Sequence, residues 1–359
     1  MANVTARDPQ KSCLIVGAGL SGLVAANHLQ SEGFRVTIID KGRGIGGRLA
    51  TRRIKHPQDG KGVFDYGVQY LTARSPEFKE WIDSLRNAGV VEPWSCGSRY
   101  PEDLLEQKYR GIESTRSIAQ YLASNTDIKS RARVVKLGRN DAGWTVSVDD
   151  GSEHRSDIVI LTPPLPQTLL LLKKSEISLP ESISEKLSQV LYNMCLTVLV
   201  LLSGPTKIAQ SGGLPINGKE LDWIACNHTK GISPDCYAVT LHAGPNFSDA
   251  YSERNRWDEG AKRLIELSKE HLGSNIEILV YQTHLWKYSA PINPFNAPFF
   301  ALQDLPNSLN DSGSLFLAGD GFSSHPDQKI SSVEGAYLSG LKVSQHVCDE
   351  YCVGNHAAH

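Results

Sequence analysis

Cys13-Leu14-Ile15-Val16-Gly17-Ala18-Gly19-Leu20-Ser21-Gly22 is the stretch whose reading decides the fold. A short apolar run enters a Gly-x-Gly-x-x-Gly turn and leaves it as a helix, so the order is strand, tight turn, helix. The helix runs from Leu20 to Glu32, Gly33 closes it, and Arg35 to Asp40 forms a second strand rich in β-branched residues. This is a βαβ unit, which requires a parallel sheet. The glycines are there for distinct physical reasons. Gly17 makes the turn, Gly19 lets a pyrophosphate approach the backbone, and Gly22 with Ala26 lets helix and strand pack closely. The helix start then faces an anion, and Asp40 accepts from adenosine ribose hydroxyls.

Working outward, the next segment is Lys41-Gly42-Arg43-Gly44-Ile45-Gly46-Gly47-Arg48. Its glycines permit close backbone approach, and a guanidinium pairs with phosphate through two parallel bonds. Pro76 to Ala88 has helical spacing at Phe78, Trp81, Ile82 and Leu85, and is read as the start of a second lobe. Two strands around Asn140-Asp141-Ala142-Gly143 make a hairpin, and Asp157 to Thr162 is a buried strand that returns to the first domain. Strands near Cys195 to Leu202, Tyr237 to His242 and Ile278 to Leu285, with a helix near Arg254 to His271, form the second lobe. A strand from Ser314 ends on Asp320, and a last helix starts at about Ser332, with Ser331 and Glu334 spaced as a capping box.

Composition bounds the class. The chain has 359 residues, with 37 Lys+Arg against 39 Asp+Glu, a formal charge of -2 and 40% hydrophobic residues, close to a globular average. No long single-sign charge block points to nucleic acid, and no apolar run is long enough for a bilayer span. Met1 to Lys11 is polar without an apolar signal core, so a soluble cytoplasmic protein is expected. The 7 cysteines are odd in number and scattered, which predicts reduced thiols. The tail Cys348, Cys352, His356 and His359 has an atypical zinc spacing, and no metal is expected there.

The loop ending in Gly47 and Arg48 resembles the second motif of the FAD-dependent amine oxidase superfamily. Within that superfamily the chain is similar to the renalase family over nearly its whole length. The resemblance is carried by Gly17 to Asp40, Asp40 to Arg53, Asp65 to Arg74, Asp222 to Asn227 with Leu241-His242-Ala243, and His284 to Tyr288. Ala318-Gly319-Asp320 and Val333 to Ala336 are shared more widely. It implies an α/β fold: a Rossmann-like FAD domain of the glutathione-reductase and amine-oxidase type, and an α+β substrate domain with an antiparallel sheet. The expected division is 1–75, 131–165 and 311–359 for FAD, with 76–130 and 166–310 for substrate.

The same resemblance implies FAD held without a covalent link by Gly17, Ala18, Gly19, Ser21, Gly22, Asp40, Lys41, Gly47, Arg48, Gln69, Tyr70, Val134, Gly319, Asp320 and Val333. The last helix would aim its positive end at the flavin. The implied reaction takes a hydride from a dihydronicotinamide dinucleotide, an isomeric 2- or 6-dihydro form of NAD(P)H, to FAD, and then reduces dioxygen to hydrogen peroxide. Gln69, Tyr70, Trp223, Asn227, His242, Trp286 and Tyr288 are the expected walls, Trp223 aside also the candidate catalytic set; core packing competes for each aromatic, and a satisfied buried imidazole for His242 and His284. Asn227 either bonds a carboxamide or caps a turn. Lys287 and Lys329 are positional candidates for the lysine that many relatives hold near the flavin. An amine oxidase, or a FAD-loaded protein without turnover, are the alternatives.

Overall fold

The computed structural model describes residues 10–97, 106–208, 211–216, 218–273, 275–302, 315–323 and 332–352, without the side chains of 332 and 352. Ser331, Lys329, His356 and His359 lie outside the described residues.

Four apolar residues in a row, Cys13 to Val16, cannot sit on a half-solvated sheet, and strand β1 (Ser12–Val16) is accordingly buried at every position. It is central in a six-stranded sheet ordered β18-β19-β12-β1-β2-β8. The others are β2 (Arg35–Asp40), β8 (Asp127–Ser130), β12 (Ile158–Leu161), β18 (Phe300–Ala301) and β19 (Leu315–Leu317). All neighbours are parallel except β18, which runs antiparallel to β19.

Helix α1 (Leu20–Ser31) crosses from β1 to β2 and packs against α8 (Ser332–Cys352). Gly33, at φ 89, follows its end and donates to Gln30 O. Helix α2 (Pro76–Asn87), capped by Ser75, sends Phe78, Ile82 and Leu85 into the core beneath the parallel sheet, where α3 (Arg116–Leu122) also packs. The expected division therefore misplaces these pieces. α2, α3, β8 and β18 belong with the first sheet, because an amphipathic helix states that it packs but not upon what.

Two smaller antiparallel sheets flank it. One has β9 (Val134–Asn140), β10 (Gly143–Val148) and β11 (Glu153–Ser156). The other has β5 (Leu71–Thr72), β6 (Val91–Pro93) and β7 (Lys108–Gly111). Helices α4 (Leu165–Lys174) and α5 (Glu181–Ser188) lead onward to the second lobe.

That lobe is a five-stranded antiparallel sheet ordered β14-β15-β16-β13-β17. Its strands are β13 (Tyr192–Leu202), β14 (Gly213–Pro215), β15 (Leu221–Cys226), β16 (Ala238–Ala243) and β17 (Ile278–Pro291). Helices α6 (Pro245–Ala250) and α7 (Trp257–Leu272) cover one face. The other face meets the hairpin β3 (Thr51–Lys55) and β4 (Lys61–Asp65), so Ile54, Phe64 and Tyr66 share a core with Leu199, Leu201 and Ala238. The site lies along this seam.

Candidate functional site

The glycine turn after β1 has the geometry a dinucleotide requires. Gly17 has φ 106, and a Cβ on Gly22 would stand 2.1 Å from Gly17 O, so neither position tolerates a side chain. A Cβ on Gly19 meets nothing within 4 Å, which leaves open space where the chain has no side chain. Beside it, Ser21 is buried and its hydroxyl has no partner at the start of α1, where helix N–H groups collect. An orphaned hydroxyl, a helix start and an open space fit a pyrophosphate.

The second glycine loop is tied to the first. Gly46 N donates to Ala18 O at 2.8 Å, and a Cβ on Gly47 would lie 3.5 Å from Gly19 Cα. Asp40, at the end of β2, accepts from Ala18 N at 2.7 Å and from Gly42 N at 2.6 Å, holding the turn itself. Val134 is half-buried at the start of β9, two residues beyond Ala132, whose N–H donates to Asp40 O. Lys41 is exposed and its ammonium donates to Gln167 Oε1 at 2.5 Å. Partial desolvation of that ammonium end, and secondarily Arg133, lowers its pKa despite the opposing charge of Asp40.

Arg48 is the hinge of the site. Its guanidinium grips Asp320 at both oxygens, at 2.5 and 2.8 Å, and donates to the carbonyls of Tyr288 and Ser289. Burial disfavours its charge, but the Asp320 carboxylate outweighs this and raises the pKa. Gly319, at φ 128, sets Asp320 at the end of β19, and its N–H is held by Ser339 Oγ of α8 at 2.8 Å. Val333, buried in the first turn of α8, packs into the core below.

Between β4 and β5 the chain runs irregularly through Tyr66, Gly67, Val68, Gln69 and Tyr70. Buried irregular backbone needs partners for its carbonyls, and here side chains supply them. Thr240 Oγ1 and Gln69 Nε2 donate to Asp65 O at 2.9 and 2.8 Å. Trp286 Nε1 at 2.8 Å and His242 Nε2 at 3.1 Å both reach Tyr66 O, which places a proton on Nε2 of His242. Gln69 Oε1 remains buried without a partner. Gly67 permits the approach, since a Cβ there would lie 2.2 Å from Arg48 O and 3.2 Å from Trp286.

Three of the expected wall residues lie behind this run. Asn227 is fully buried and its amide nitrogen donates to Thr240 Oγ1 at 2.9 Å, so it braces the brace, while its Oδ1 is buried without a partner. His242 is 3% exposed and also lies beneath the run. Trp223, fully buried, backs the half-buried Tyr70 ring at 5.6 Å between centroids. Trp286 and Tyr288 are half-buried on β17, with Trp286 4.9 Å from Tyr66 and 4.4 Å from His284, and Tyr288 5.6 Å from Tyr192. The Arg52 guanidinium lies 4.8 Å from the Tyr66 ring centre. Burial, reinforced by Arg52, pushes the His284 pKa down to about 4.

Glu334 has partners beyond the capping box, whose Ser331 lies outside the described residues. It is fully buried and accepts from the backbone N–H groups of Arg74 and Ser75, at 3.2 and 2.7 Å, so one carboxylate joins the starts of α2 and α8. Lys287 is exposed. A lysine that the sequence reading did not single out, Lys230, is fully buried against Asp65 at 3.0 Å. Nothing in the polar turn around it signals burial.

A two-lobed α/β protein with a glycine-turn dinucleotide site closed by a second, antiparallel sheet defines an FAD-dependent oxidoreductase. The model for flavin containing amine oxidoreductases matches residues 60–348, and that for NAD(P)-binding Rossmann-like domains matches residues 15–85. The chain belongs to the flavin-containing amine oxidoreductase family and is a renalase-like member of it. Renalase of Mus musculus is 30% identical over 352 residues, covering 92% of this chain and 96% of the mouse protein. A structure from Exiguobacterium described as a protoporphyrinogen oxidase superposes with TM-score 0.68 at 13% identity, covering 95% of this chain and 99% of that one. A putrescine oxidase with putrescine bound gives 0.66 at 15% identity, covering 95% and 99%. These two likenesses concern the fold. No helix among the described residues is long and apolar enough to cross a membrane.

Proposed function

We propose that the protein oxidises dihydronicotinamide dinucleotides of the 2- or 6-dihydro type, with FAD accepting the hydride and dioxygen taking the electrons as hydrogen peroxide. In this reading Ser21 and the first turn of α1 hold the pyrophosphate, Asp320 and Arg48 fix the central region, and Gln69 and Tyr70 face the flavin ring. Hydride transfer needs little acid-base chemistry; it needs a planar ring held close in a dry site.

The observation that carries the substrate choice is the ledge of Tyr66, His284 and Trp286 with Arg52 above it. His284 is neutral above a pH of about 4, and the charge seated against that ledge is the Arg52 guanidinium. A cation there repels a protonated amine and attracts the phosphates of a dinucleotide, while the aromatic faces suit a flat pyridine ring.

The test is the anaerobic visible spectrum of the FAD-loaded protein on adding NADH enriched in its 2- and 6-dihydro isomers, followed by air. Bleaching and then recovery with peroxide is expected. A flavin that dithionite reduces but these isomers do not would overturn the reading, and turnover of amines would replace it.

A further inference from the structure

Lys230, in the turn between β15 and β16, is an unusual place for an ammonium: its side chain and that of Asp65 are both 0% exposed. Nζ donates to Asp65 Oδ2 at 3.0 Å and to Gln69 O at 2.7 Å, and stands 4.7 Å from the Trp94 ring centre. The other oxygen of Asp65 accepts from Thr51 Oγ1 at 2.8 Å and Thr115 N at 3.0 Å. Burial lowers the Lys230 pKa, Asp65 opposes this, and Arg110 adds to the lowering.

A buried ion pair adds little net stability relative to apolar side chains of the same volume, so stability alone gives no reason for this one. Its geometry gives another. A single ammonium bonds both ends of the irregular run, the Asp65 carboxylate and the Gln69 carbonyl, and rests on the ring of Trp94 that packs near Tyr70. Because its bonds go to Asp65 and Gln69, Lys230 acts on the chain and not on the reacting atoms.

We infer that Lys230 is a positioning residue which, through Asp65 and the Gln69 carbonyl, holds residues 65–70 in the one shape that presents Gln69 and Tyr70 to the flavin. The inference rests on FAD lying against this run and is independent of which substrate is oxidised.

The decisive variant is the charge-neutral pair Asp65→Asn with Lys230→Met in the FAD-loaded protein. Asparagine keeps an acceptor for Thr51 and Thr115, and methionine keeps the volume, so what disappears is the ion pair and the donor to Gln69 O. Three quantities are read without substrate: the melting temperature, the shape of the visible flavin band, and backbone hydrogen exchange in the peptide covering 66–70. The expected result is a melting temperature near that of the wild type, with exchange at 66–70 faster by about tenfold or more and an altered flavin band. Unchanged exchange and an unchanged band would overturn the inference. So would a double variant that fails to fold, since the pair would then be a stability element. The single Lys230→Met variant, which strands the buried Asp65 carboxylate, is expected to lose more stability than the double.

Discussion

Arg48 and Asp320 are 272 residues apart in sequence, yet each is the other's main partner. The Arg48 side chain is 26% exposed and that of Asp320 only 3%, so the arginine is what makes the carboxylate tolerable there. Arg48→Ala should therefore lower stability by about 3 kcal/mol and weaken FAD binding by about a hundredfold, the loss of a charged hydrogen-bond set. Chemical melts and a fluorescence titration of the apoprotein with FAD would measure both; unchanged affinity would place the guanidinium away from the cofactor. His284 gives a pH signature. Its ordinary value is 6.5, and burial with Arg52 nearby takes it to about 4 in the fold. As pH falls from 6.5 toward 4 the unfolded chain gains a proton that the folded one refuses, so stability contributed by this group is present above 6.5 and lost through that window. His284→Gln should flatten the fall of melting temperature between those pH values, and an unaltered slope would show that other groups carry it. At this scale the sequence reading saw the residue types but not their direction: Trp286 and His242 sit in the motifs that carry the family resemblance, and only the fold reveals that both point at the carbonyl of Tyr66.

At the scale of elements, β1, α1, β2, β13 and α8 were legible because a buried strand or an amphipathic helix repeats its apolar pattern over many residues. β8 was not, since an edge strand of sequence Asp-Ile-Lys-Ser has no pattern to repeat. Glu334 satisfied a local capping pattern, yet its carboxylate reaches Arg74 and Ser75, a partnership invisible to any local window. The contact between α1 and α8 has the same character. Gly340 in α8 faces the second residue of α1, and a Cβ there would stand 2.3 Å from the backbone oxygen of Ser21. Backbone cannot swing aside as a side-chain tip can, so Gly340→Ala must push the helices apart. A loss of about 1 to 3 kcal/mol is expected. Because Ser21 belongs to the glycine turn, FAD affinity should fall as well. A thermal melt with an FAD titration would test this, and a variant with wild-type values for both would show that the helices give way without cost.

For the whole molecule, the chain crosses between its two main sheets repeatedly, and the crossings coincide with the site. Lys230 and Thr240 from the antiparallel lobe hold Asp65, Trp286 and His242 hold Tyr66, and the carbonyls of Tyr288 and Ser289 receive Arg48. The apolar core formed by Ile54, Phe64, Tyr66, Leu199, Leu201 and Ala238 lies across the same seam. Neither lobe can then open without exposing apolar surface and stranding buried polar groups of the other, which links their unfolding. Since the flavin is read as bound along that seam, its release should report the same event. In a thermal melt of the holoprotein, the rise of FAD fluorescence and the loss of far-ultraviolet dichroism should fall at one temperature and sharpen together when excess FAD is added, because a ligand that binds the folded form alone raises its stability. Flavin release well below the dichroism transition would mean that the 65–70 run opens on its own, and that the two lobes are joined at the site more loosely than these bonds require.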